Sequence, residues 1–213
     1  MKKVKPLTLT ICAILLVVST VVGTVAYLTD ASEVVNTFTL GKVDLKLDEA
    51  VVDANGIAVG GRTEVGNSYH LIPGATYTKD PTVTVVKGSE ESFVRMLMTL
   101  NCANELDDIF APSGAVLTDI FNGYDAANWI YETETRDAAN NTITYEFRYK
   151  EKVKPSADTD LILDALFDSI TVPEQLTGEQ LTKITDFEIS VEAHAIQATG
   201  FADAASAWTA FSK

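Results

Sequence analysis

Cysteine and histidine each occur only twice in 213 residues, and proline six times. Two cysteines cannot build a disulfide framework, so the fold must stand on its apolar core. Cys12 lies in the uncharged N-terminal run, which leaves Cys102 as the one thiol of the body. Ile11 precedes Cys12 where a lipoprotein signal needs a small residue, and the apolar run continues past it. His70 and His194 are far apart, and neither belongs to a His-Glu-x-x-His helix. Nucleophile elbow, P-loop and dinucleotide glycine patterns are all missing. Basic residues are also scarce, 16 against 30 acidic ones, for a net charge of −14. Three of the 16 are Lys2, Lys3 and Lys5, so loss of the N-terminus takes the charge from −14 to −17. Such a surface repels phosphates, which argues against nucleic-acid binding and favours solubility.

What is present begins with a targeting segment. The lysines form a short basic region, and residues 7–26 follow without one charge. A charged side chain within a bilayer costs about 2.5–3.5 kcal/mol on insertion scales, so that interval is informative. It ends in Thr24-Val25-Ala26, with small residues where a signal peptidase requires them. Cleavage after Ala26 leaves Tyr27 as the mature N-terminus; retention as an anchor is the alternative. Either way the lysines hold the N-terminus inside and the body outside. The expected division is residues 1–26 as signal peptide or anchor and residues 27–213 as one domain.

The body is 46% hydrophobic across the chain and patterned at period two. Residues 34–47 alternate and predict two strands meeting at Gly41. Asp53-Ala54-Asn55-Gly56 and Gly60-Gly61 predict turns, and Leu71-Ile72-Pro73-Gly74 a sharp corner. The Asp/Asn/Gly cluster lacks the acidic series of a calcium loop. Residues 82–86 and 93–100 predict strands, the second apolar on both faces and therefore central. Residues 104–110 and 114–121 have helical spacing. Residues 129–135 and 142–150 predict a hairpin, with Tyr145, Phe147 and Tyr149 on one face. Residues 161–167 predict a short helix or strand, 167–172 an extended segment, 185–198 a cleanly alternating strand, and 201–211 a short amphipathic helix. Many short strands with few helices predict a mainly β fold. It is an antiparallel β-sandwich, jelly-roll-like, with a few short helices and an N-terminal signal helix.

Chemistry is not evident. His194 lies on a strand face and reads as a packing or surface residue. Cys102 follows an apolar strand and reads as a buried, inert thiol. Glu90-Glu91 and Asp107-Asp108 read as solvated acidic faces. No catalytic residue, metal ligand or cofactor is expected, and the protein reads as non-enzymatic.

The run Gly23-Thr24-Val25-Ala26-Tyr27-Leu28-Thr29-Asp30, followed by Asn36-Thr37-Phe38-Thr39-Leu40-Gly41-Lys42-Val43-Asp44-Leu45, resembles the start of the TasA/camelysin family. Leu71-Ile72-Pro73-Gly74 with Lys79-Asp80-Pro81, Phe93-Val94-Arg95, Phe167-Asp168-Ser169-Ile170 and Glu192-Ala193-His194-Ala195-Ile196-Gln197-Ala198 are similar to later family motifs in the same order. The resemblance implies an exported Gram-positive protein cut by a SipW-type signal peptidase after Ala26, with Thr24, Ala26 and Tyr27 forming the cleavage site. It implies a jelly-roll subunit of biofilm-matrix or cell-surface fibres, with residues 27–39 as a donor strand that completes the sheet of a neighbour. Tyr27, Leu28, Val34, Val35, Phe38 and Leu40 would carry that contact. A head-to-tail contact of this kind does not close and makes filaments. The implied partners are copies of the chain, the peptidase, and the cell wall or an accessory matrix protein. Two other readings stand beside this one. One is a monomeric surface adhesin or binding module on the same fold. The other is a camelysin-like metallopeptidase, for which the sequence supplies no zinc motif.

Overall fold

The structure, a computed structural model, describes residues 41–110, 120–174, 176–184 and 186–211. The expected signal helix and the N-terminal strand segment lie outside the described residues. Eleven strands are described: β1 (Leu45–Val52), β2 (Ala58–Thr63), β3 (Thr76–Thr78), β4 (Thr82–Val85), β5 (Ser92–Leu100), β6 (Phe121–Asn122), β7 (Trp129–Asp137), β8 (Thr142–Tyr149), β9 (Leu161–Ile162), β10 (Ser169–Thr171) and β11 (Ile189–Gln197). Three short helices join them: α1 (Ala103–Phe110), α2 (Gly178–Lys183) and α3 (Ala204–Phe211).

Every named pairing is antiparallel. The strands form two four-stranded sheets, β2-β1-β4-β9 and β11-β5-β8-β7, and a small sheet β3-β10-β6. The expected fold class, mainly β and antiparallel with a few short helices, is therefore the one formed, in a sandwich-like arrangement. One core joins the sheets. Val83 and Val85 of β4 meet Val94, Met96, Met98 and Leu100 of β5, and Ile143, Tyr145 and Phe147 of β8. Burying each such side chain contributes about 1.5–3 kcal/mol.

β5 is central, as its two apolar faces require. It pairs with β11 along one side and β8 along the other. Its second face is covered by α3, whose Ala207 and Trp208 pack with Phe93 and Ala198 in a separate small cluster. The β7–β8 hairpin forms around Asp137, whose carboxylate accepts the backbone N–H groups of Ala139 and Asn140 at 2.9 and 3.2 Å. Asn141 follows at φ 52°. Its Oδ1 accepts the N–H of Asn104 at 2.9 Å, and its carbonyl that of Ala103 at 3.1 Å. The hairpin thus satisfies two orphan donors at the start of α1.

Several boundaries differ from the sequence reading. The first described strand begins at Leu45 and runs on to Val52, so residues 41–44 are not strand. Gly60-Gly61 is not a turn. Both glycines lie inside β2 at φ 94° and 82°, beside an irregular register between Ala50 and Val52. Glycine there relaxes the strand without ending it. Phe121, expected at the end of a helix, begins β6, and residues 111–119 lie outside the described set. Residues 161–167 contain a two-residue strand and no helix.

Candidate assembly edges

Strands at the edge of a sheet carry unpaired backbone groups, and proteins usually protect them. β7 is protected. Its register is bulged between Tyr131 and Thr133, and its exposed side chains include Glu132, Glu134 and Arg136. β11 is different. It pairs with β5 through nine consecutive residues without a bulge, and its opposite side is paired with no described strand. Glu192 is its only carboxylate. Long and without a bulge, it lacks the protection that β7 carries.

A second open stretch lies nearby. β1 pairs with β4 from Leu45 to Asp48, while its pairing with β2 begins only at Glu49. The first half of β1 therefore also has one side without a described strand. Between these two stretches lies a cleft of about 220 Å³, lined by Leu47, Asp48 and Glu49 of β1 and by Ile189, Ser190 and Val191 of β11. Its rim is charged. Arg62 of β2 binds Asp48 and, at 2.8 Å, Asp80. Beyond it a larger cavity of about 690 Å³ is walled by apolar side chains including Leu71, Ile109, Val172 and Phe187. Tyr69 and Tyr77 line it too, packed edge to face at 5.7 Å. Burial first, and then Glu49, pushes the Tyr69 phenol up to about 12.

The residues expected to make the assembly contact and the cleavage site, Thr24, Ala26, Tyr27, Leu28, Val34, Val35, Phe38 and Leu40, lie outside the described residues. His70 is exposed, and its carbonyl accepts the Tyr77 hydroxyl at 2.6 Å. His194 packs: its Nδ1 accepts from Arg95 Nε at 3.3 Å, and its ring lies 5.1 Å from that of Phe211. Cys102 is half-buried rather than fully enclosed, at φ 55°. Burial, followed by Glu105 and Asp186, pushes its thiol up, which disfavours the reactive thiolate. Glu90 and Asp108 are solvated as expected. Asp107 instead grips Arg136 through both oxygens, at 2.5 and 3.1 Å. Among the described residues no group of three His, Cys, Asp or Glu side chains could hold a metal ion.

One polar cluster escaped the sequence reading. Lys79 and Glu49, 6% and 7% exposed, form an ion pair at 2.7 Å. Asn67 donates from Nδ2 to the other Glu49 oxygen at 2.8 Å. The three come from the end of β3, from β1 and from the loop after β2, so no local spacing announces them.

The geometry defines an antiparallel β domain in a sandwich-like arrangement, with an unpaired strand side beside a cleft. No model of a known protein family matches the chain, and no curated protein matches it.

Proposed function

We propose that this chain is a secreted structural subunit of extracellular or cell-surface protein fibres of a Gram-positive bacterium, similar in kind to the TasA/camelysin family. The mature N-terminal segment, residues 27–39, of one subunit adds as a strand to the next. The observation that carries this reading is the bare side of β11 facing the unpaired half of β1 across a cleft. An extended segment laid along β11 would receive main-chain hydrogen bonds from that edge. Alternate side chains such as Val34 and Phe38 would turn toward the core. Because the donor and the acceptor are different surfaces, the contact propagates. The role is structural and needs no cofactor.

Negative-stain microscopy of the chain cut after Ala26 tests this, with a second chain lacking residues 27–39 as control. Filaments from the first and monomers from the second are expected. A cut chain that stays monomeric at high concentration would leave the surface-adhesin reading in its place.

A further inference from the structure

Lys79 and Glu49 are buried and Asn67 is half-buried, and Glu49 gathers the lysine amine and the Asn67 carboxamide on its two oxygens. We propose that Lys79 and Asn67 become joined within the folded chain by an amide bond between Lys79 Nζ and Asn67 Cγ, with Glu49 carrying the protons.

The arrangement places each participant. Glu49 Oε2 holds the lysine nitrogen at 2.7 Å, and Oε1 holds the Asn67 amide nitrogen at 2.8 Å. The nucleophile and the leaving group therefore lie on the two oxygens of one carboxylate. The carboxamide cannot turn over. Its nitrogen also donates to the Ala50 carbonyl at 2.8 Å, while its oxygen accepts the Val52 N–H at 3.2 Å. That N–H is aimed at the oxygen on which negative charge gathers during attack, as an oxyanion donor must be. Holding the reacting groups together removes the entropic cost of an encounter.

Burial supplies the activation. A desolvated ion pair recovers only part of what its charges lose on leaving water. Passing a proton from Lys79 to Glu49 gives a neutral pair and frees the lone pair that a lysine nucleophile needs. Nζ then attacks Cγ, and the carbonyl electrons move onto Oδ1. The second proton lost by Nζ and the one held by Glu49 both pass to Nδ2. The Cγ–Nδ2 bond breaks, and the nitrogen leaves as ammonium. The net change converts one lysine ammonium and one primary amide into a secondary amide and an ammonium ion. No oxidant or co-reactant is required, and Glu49 ends as it began. The product closes residues 67–79 into a ring and fastens the loop after β2 to the end of β3.

Peptide mapping of the purified full chain by mass spectrometry decides the matter. Trypsin should leave residues 63–87 as one peptide, uncut after Lys79 and lighter than its sequence by about 17 Da, the mass of ammonia. A succinimide at Asn67-Ser68 loses the same mass, but it leaves Lys79 cleavable and does not need the lysine. The variants Lys79→Arg and Asn67→Ala should restore the full mass and the cut. Two results overturn the proposal: a wild-type peptide of full mass cut at Lys79, or a mass loss that persists in folded Lys79→Arg. Glu49→Gln should keep the full mass while folded, and a linked product in that variant refutes the proton-carrying role. Should Glu49→Gln fail to fold, the wild-type, Lys79→Arg and Asn67→Ala maps still decide whether the bond exists.

Discussion

The guanidinium of Arg95, on β5, lies over the indole of Trp208, on α3, with its central carbon 4.4 Å from the ring centroid. The same guanidinium reaches Glu146 at 3.5 Å on the neighbouring strand. The contact is what attaches α3 to the outer face of the central sheet. Trp208 also fills the small cluster around Phe93.

Trp208→Ala is expected to lower the unfolding free energy by about 3–5 kcal/mol, the usual cost of truncating a buried tryptophan. Arg95→Lys keeps the charge and loses the planar stack, for a smaller cost of about 1 kcal/mol. Urea unfolding followed by circular dichroism measures both. Equal effects from the two variants would mean that the cluster, and not the helix, governs the response.

Asn141 couples the β7–β8 turn to α1. Asn141→Ala removes the acceptor for Asn104 and leaves alanine in a left-handed conformation, so a loss of about 1–2 kcal/mol is expected. Asn141→Gly keeps the conformation and should cost less. The order of the two melting temperatures tests the assignment.

The same asparagine sets an acid dependence. Its amide donates to Glu105 at 2.7 Å and is the main reason that carboxylate is held below its ordinary value of 4.5. A carboxylate whose folded value is depressed contributes stability that is present above its unfolded value and lost as pH falls through the folded one. The loss therefore belongs below pH 4.5. An NMR titration should show Glu105 returning toward its ordinary value in Asn141→Ala. At the alkaline end, burial raises Tyr69 from 10 to about 12, and Tyr149, also chiefly by burial, from 10 to about 12. Here the folded value is raised, so the contribution is complete below pH 10 and disappears as pH climbs toward 12. Ultraviolet absorbance of the phenolates should rise late, together with unfolding.

Gly56 follows the turn at Asp53, and at φ 73° a Cβ there would sit 2.9 Å from the Tyr77 backbone and closer still to its ring. Gly56→Ala is expected to destabilise by more than about 3 kcal/mol, since strain and overpacking add. Gly88, with the same φ and open space, sets the scale of conformation alone, at about 1 kcal/mol for alanine. Comparable losses at both sites would show that Tyr77 yields to the added methyl.

The elements whose residues alternate most regularly were legible in the sequence. β5, β8 and β11 all lie where period-two patterning puts them, and α1 where helical spacing does. Proline at 73 marked a corner correctly because turn chemistry is local. The failures have a physical pattern. Gly60-Gly61 reads as a turn by composition, yet the pairing of β2 with β1 carries the strand through both. α2 was missed although Thr177 and Gln180 form a reciprocal cap, with Thr177 N donating to Gln180 Oε1 at 2.9 Å and Gln180 N donating to Thr177 Oγ1 at 3.3 Å. Its apolar residues are too few to give a period. Of the candidate site, the donor segment was a matter of resemblance. The bare side of β11 and its cleft against β1 depend on which strands become neighbours, and no stretch of sequence carries that. The Lys79, Glu49 and Asn67 cluster is of the same kind.

Arg95 on β5 and His194 on β11 are hydrogen-bonded across 99 positions of chain. Until residues 189–197 join, β5 lacks one of its two neighbours, and until α3 follows it lacks its cover. Such long-range closure makes folding slow. The sandwich therefore closes only when the last strand and the last helix are both available to the middle of the chain.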